Sequence, residues 1–188
     1  MWFQVTDPAS PEHVEAVLAL VEHAVPACGE VTVIAIDGFS GSGKTTLAKA
    51  VSEALDCPVV HMDNLYPGWD GLAAAPTLLA EQVLAPLAQG ERGAYARWDW
   101  AWSEWGETQE VPATDLLVVE GCGSSVSPAG DFAAVRVFLE ADREERMRRG
   151  IERDGESYRP HWERWAAQEI ELYARDGTRE KAHLVLTT

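Results

Sequence analysis

The sequence predicts an α/β fold, a parallel sheet with helices on both faces, and three observations carry that prediction. Short apolar, β-branched runs alternate with segments of helical spacing, the pattern of strands buried on both faces. A glycine-rich loop stands between the first such run and a helix. The chain has 188 residues, 46% of them hydrophobic, which suits one compact domain over 1–188 with a sizeable core.

Ser10-Pro11-Glu12 reads as a helix start, with a capping hydroxyl, proline in the first turn and an early acid. Val14, Val17, Leu18, Val21 and Val25 continue it at helical spacing towards Pro26 and Gly29, as a helical extension within 1–30. Val31–Asp37 is a buried strand, and the helix Lys44–Leu55 follows the loop, with Leu47, Ala48, Val51 and Leu55 on one face. Pro58–Met62, Leu116–Glu120, Val135–Glu140 and Ala182–Leu186 read as further strands. Thr77–Leu87 reads as a helix despite Pro86, and Asp142–Arg153 and His161–Arg175 as charged helices joined by Gly155–Pro160. Ala94–Trp100 fits either a strand or an extended loop.

Fifteen Lys and Arg stand against 31 Asp and Glu, a net charge of −16. This balance argues against binding nucleic acid through its phosphates and against docking on an anionic membrane. Neither a basic-then-apolar start nor an apolar run of membrane-spanning length is present, so a cytoplasmic location is expected. Cys28, Cys57 and Cys122 show no metal or disulfide spacing, which suits a reducing compartment. The five histidines are scattered, and no metal-binding histidine is expected.

Gly38-Phe39-Ser40-Gly41-Ser42-Gly43-Lys44-Thr45 fits G-x-x-x-x-G-K-[ST] in full. Gly38, Gly41 and Gly43 let the backbone turn so that N–H groups, including those of Ser40 and Ser42, converge on phosphate oxygens. Lys44 is expected on the β- and γ-phosphates, Thr45 on Mg²⁺, and Thr46 on the α-phosphate. ATP and Mg²⁺ are therefore the expected cofactors. Asn64 is the only asparagine, so no guanine-reading N-K-x-D motif exists. No LSGGQ-like stretch occurs either, and a small phosphotransferase remains.

In open α/β sheets ligands sit beyond the carboxyl ends of the strands. Asp63 and Glu120 follow two of the apolar runs. Asp63 is assigned as the acceptor of the attacking hydroxyl's proton and Glu120 to the metal's waters, or the reverse, so that both belong to the metal set with Thr45. Asp37 leads directly into the loop and reads as structural. Arg143, Arg146, Arg149 and Arg153 recur at helical spacing. Arg149 and Arg153 are the candidates to touch the transferring phosphoryl group, unless the interleaved Glu144, Glu145 and Glu152 pair with these arginines instead.

These features together resemble the uridine kinase-like branch of the P-loop kinases. Gly38–Thr46 looks like that family's phosphate loop, and His61–Tyr66 resembles its D-x-F-Y segment, where the Asp is the base. Arg97–Trp100 resembles its Y-D-F segment, Val119–Gly121 its E-G, and Asp142–Asp154 its arginine-bearing lid. The resemblance implies a P-loop NTPase fold: a five-stranded parallel sheet in the order 2-3-1-4-5, helices on both faces and a small helical lid at about 142–160. It also implies transfer of the γ-phosphoryl group of ATP to a small-molecule hydroxyl, with Arg143 near the adenine. Trp98 replaces the pocket tyrosine, and the histidine that should follow is absent, so the acceptor stays open between a nucleoside and another small molecule. Tyr66, Trp69, Trp98 and Asp99 are the candidate acceptor-pocket residues, with Asp70 also in reach of hydroxyls; the competing reading makes the tryptophans core or a water-excluding flap, and either aspartate a turn cap. A nucleotide-monophosphate or metabolite kinase is one alternative, and an ATP-binding regulatory module with little turnover is another.

Overall fold

The computed structural model describes residues 8–156 and 158–188; the first part of the N-terminal extension and one residue of the connector Gly155–Pro160 lie outside the described residues. Helix α1 (Pro11–Glu22) opens the fold. Ser10 occupies its N-cap position but makes no side-chain capping bond, contrary to expectation. Pro11, which has no N–H to satisfy, starts the helix instead. Val17 is fully buried on its inner face.

Strand β1 (Thr32–Gly38) is buried throughout and leads through the loop into α2 (Lys44–Leu55). After β2 (Val59–His61), a helical stretch is built from α3 (Ala75–Leu79), a π turn (Ala80–Leu84) and α4 (Ala85–Ala88). The π turn immediately precedes the α4 segment that holds Pro86, whose ring and missing N–H break the regular i→i−4 ladder. Next come β3 (Gly93–Asp99) and β4 (Glu104–Val111), an antiparallel hairpin with Trp98 opposite Trp105. Beyond them lie β5 (Leu116–Glu120), β6 (Ala133–Glu140), α5 (Arg143–Asp154), α6 (Arg159–Asp176), α7 (Thr178–Lys181) and β7 (Leu184–Thr187).

The main sheet is parallel in the order β2-β5-β1-β6-β7. Counting only its own strands, that is the expected 2-3-1-4-5. Alternate residues of β1 face opposite cores. Ile34 and Ile36 pack with Val17 of α1 and Leu47, Ala48 and Val51 of α2. Val33 joins Leu117, Val119, Leu79, Val83, Trp165 and Leu172 on the other side. The register pairs Ile36 with Glu120, His61 with Glu120, and Gly38 with Leu139. The carboxyl ends of these strands therefore stand at one level, and the loops that follow them share one edge.

Cys28 and Cys122 are buried and Cys57 is half-buried. Burial pushes the Cys28 thiol up to about 11, and it donates to Leu84 O. Brief alkylation near pH 8 followed by peptide mass mapping is expected to modify Cys57 first, because the thiolate is the nucleophile and access limits the rest. Equal labelling of Cys28 would contradict this packing.

Candidate functional site

The phosphate loop is held from below by three buried acids and bases. Asp37 is fully buried, and its carboxylate accepts from Gly38 N, Gly123 N, Ser125 N and Ser125 Oγ at 2.7–2.9 Å. The Tyr173 hydroxyl completes the set at 2.7 Å. Glu169, also fully buried, accepts from Ser40 N at 2.6 Å and from Trp165 Nε1 at 3.1 Å. Arg146 donates to Ser40 O, lies 3.8 Å from Glu169, and stacks over the Phe39 ring. Gly41 has φ +80°, and a Cβ there would strike the backbone carbonyl of Arg146, so α5 can lie this close only because the residue is glycine.

Glu169 and Tyr173 lie on α6, outside the motifs that the sequence displays. A signal existed: Trp162, Trp165, Ala166, Leu172 and Tyr173 form the inner stripe of α6, and Glu169 falls in the middle of it. An acid within an apolar stripe needs a partner, and here the partner is the loop backbone.

Lys44 is buried and its Nζ donates to Phe39 O at 2.9 Å. Burial alone disfavours its ammonium, but Cys122, Glu169, Glu120 and Asp37 around it outweigh that and raise its pKa. It is therefore a charged donor in a largely anionic surround. The Thr45 hydroxyl donates towards Glu120, 3.3 and 3.4 Å from its two carboxylate oxygens, and His61 Nδ1 lies 2.6 Å from Glu120 Oε1. Asp63 sits in the turn after β2, and Trp100 Nε1 donates to its carbonyl. Burial raises the Asp63 carboxyl above its ordinary value, while Arg153 and Lys44 pull it down.

Lys44, Thr45, Asp63 and Glu120 line one cleft of about 680 Å³ together with Ser40, Gly41, Gly43, Thr46, Tyr66, Trp69, Trp100, Arg149 and Arg153. Lys44, Thr45, Asp63 and Glu120 are thus brought together. Trp69 makes an aromatic wall, stacked on His161 at 4.3 Å and near-parallel to Tyr158, with Trp100 tilted against it at 4.8 Å. Tyr66 is buried behind, its hydroxyl donating to Cys122 O.

Four assignments need correction. Trp98 does not line the cleft: its ring packs edge-on against Trp105 within the hairpin. Trp100, two residues on and in the turn that follows β3, takes that place. Asp99 caps the hairpin turn, accepting from Ala101 N and Trp102 N. Asp70 is engaged by Arg164 rather than left for a ligand. Arg143 lies outside the cleft, bound to Glu163 at 2.6 Å, because it starts α5 on the side facing α6. The interleaved acids do take arginines: Glu145 pairs with Arg148 and Arg149, and Glu152 with Arg148. Arg149 also reaches Thr188 Oγ1 at 2.9 Å. Arg153 is held by both oxygens of Asp154, at 2.6 Å each.

The fold and this cleft define a P-loop nucleotide-binding domain. The chain belongs to the AAA_18 family of AAA domains, whose profile matches residues 34–174. It is 28% identical over 141 residues to a uridine kinase of Alkaliphilus metalliredigens (strain QYMF), spanning 65% of this chain and 68% of the relative. It is 31% identical over 127 residues to a cytidylate kinase of Nitrosomonas eutropha (strain DSM 101675 / C91 / Nm57), spanning 66% of this chain but only 54% of that protein. Its fold matches the structure of a possible uridine kinase from Bacillus stearothermophilus with a TM-score of 0.63 at 20% identity, covering 93% of this chain and 97% of that one. The resemblance to uridine kinase-like P-loop kinases is thus found in both sequence and fold. Among the described residues no helix is long and apolar enough to cross a membrane.

Proposed function

We propose that this chain is an ATP- and Mg²⁺-dependent kinase that phosphorylates a hydroxyl of a small, unphosphorylated molecule with a flat apolar part. The observation that carries the reading is the meeting of Lys44, Thr45, Glu120 and Asp63 in one cleft at the carboxyl ends of the strands. Lys44 binds and orients the β- and γ-phosphates, and the loop amides cradle them. The oxygen donors of Thr45 and Glu120 fit Mg²⁺, which favours hard oxygen ligands and usually shares its shell with phosphate and water. Among the described residues no group of three or more His, Cys, Asp or Glu side chains forms a cage, so substrate phosphates would complete that shell. When bound, the ion neutralises charge on the phosphates. Asp63 accepts the proton of the attacking hydroxyl and aims its oxygen in line.

The acceptor end supports a hydroxyl rather than a phosphate as the receiving group. Its walls are Trp69, Trp100 and Tyr66. Arg153, which lines the cleft, is already held by Asp154, and Arg164 by Asp70, the neighbour of Trp69. A phosphorylated acceptor would have to break these pairs to be neutralised.

Incubating the full chain with Mg·ATP and matched pairs of nucleosides and their monophosphates, with vitamins and sugars alongside, tests this through ADP release. Turnover with an unphosphorylated acceptor at least about tenfold faster than with its monophosphate is expected. Preference for monophosphates would move the protein to the nucleotide kinases, in keeping with its likeness to a cytidylate kinase. Tight ATP binding with no turnover on any acceptor would make it a regulatory module.

A further inference from the structure

We propose that helix α1 forms a wall of the nucleotide-base end of the cleft, with His13 stacking on the base of the bound nucleoside triphosphate; this rests on reading the phosphate loop as a nucleotide site. The cleft has a direction. Asp63, Glu120 and Lys44 mark the end where the γ-phosphate reacts, and Thr46 lies one residue further along α2 than Thr45. A triphosphate laid along the loop therefore leads its nucleoside away from Asp63, past Thr46.

What stands there is set by the topology of α1. Segment 23–31 returns the chain to the amino end of β1, and Val14, Leu20 and Val21 pack with Val17 against the core that holds Leu47, Ala48 and Val51 of α2. The first turn of α1 then stands beside the first turn of α2. The cavity shows the result: Ser10 and His13 share one continuous lining with Thr46, Leu47, Arg149 and Thr188. Arg149 stands on α5, so the space past Thr46 lies between α1 and the lid. A half-buried imidazole on the wall of a slot is a flat surface for a flat heteroaromatic ring. The aromatic wall of Trp69 lies at the Asp63 end and serves the acceptor, so α1 gives the base a contact of its own.

Calorimetric titration of the full chain with two Mg²⁺-bound ligands separates base from phosphate: a β,γ-imido analogue of ATP, and inorganic tripolyphosphate. In His13→Ala, affinity for the analogue is expected to fall about tenfold, while tripolyphosphate changes less than about twofold. Alanine is the best helix former, and retained tripolyphosphate binding reports an intact loop. Unchanged affinity for the analogue overturns the proposal. An equal loss for both ligands overturns it too, since His13 would then act through the loop. A wild-type protein that binds neither ligand removes the phosphate-loop reading itself, whereas one that binds tripolyphosphate as tightly as the analogue removes only the base contact.

Discussion

Asp63→Asn is expected to lower acceptor-dependent turnover about a thousandfold, while affinity for Mg·ATP stays within a few-fold. Asparagine keeps the size and one oxygen of the side chain but cannot take a proton. Its backbone carbonyl still receives Trp100 Nε1, so the turn after β2 keeps its shape. Steady-state kinetics with any acceptor found by the panel measure the loss. A loss confined to KM would mean that Asp63 only binds.

The pH profile gives a second view of the same group. Burial raises the Asp63 carboxyl above the ordinary 3.8, and Arg153 opposes that shift. Only the ionised form is a base, so the acid limb of kcat/KM should lie above the ordinary aspartate range. Arg153→Ala removes the opposing cation and should move that limb further up. A downward move would contradict the placement of Arg153 beside Asp63.

Asp37→Ala is expected to cost about 4 kcal/mol of stability, read from urea unfolding, because it leaves buried donors unpaired. Four backbone and hydroxyl donors and the Tyr173 hydroxyl surround the carboxylate at 2.7–2.9 Å. They come from β1, from the loop after β5 and from α6, so one side chain ties three parts of the fold beneath the phosphate loop. A loss under about 1 kcal/mol would show that water or rearrangement satisfies these groups. Nucleotide affinity should fall with stability, since Gly38 N is one of the donors.

The parts of this fold that depend on local rules were legible in the sequence. The strands of the parallel sheet are buried on both faces and wrote themselves as apolar runs; Leu116–Glu120 has the same bounds in sequence and structure. The phosphate loop needs particular residue types at particular spacing. The hairpin was harder, because every residue of β4 except Val111 is exposed. A strand without a buried face has no alternation to read. Trp98 and Trp100 show a different limit: both fit a pocket by composition, and only the pairing of Trp98 with Trp105 decides which turns to the cleft. Arg143 misled for a similar reason. Helical spacing placed it with Arg146 and Arg149, but α6 lay near enough to offer Glu163. Glu169 lies 129 residues from Ser40, and no local rule reaches that far.

The near-parallel stack of His161 on Trp69, with ring planes 6° apart, makes the aromatic wall of the cleft its own optical probe. Indole emission responds to whatever lies on the ring face, and His161 and Trp69 come from different parts of the chain. A molecule that slides between them, or shifts the turn that carries Trp69, changes the light the protein emits. Candidate acceptors can therefore be ranked by intrinsic fluorescence alone, without a label and before any phosphate has moved.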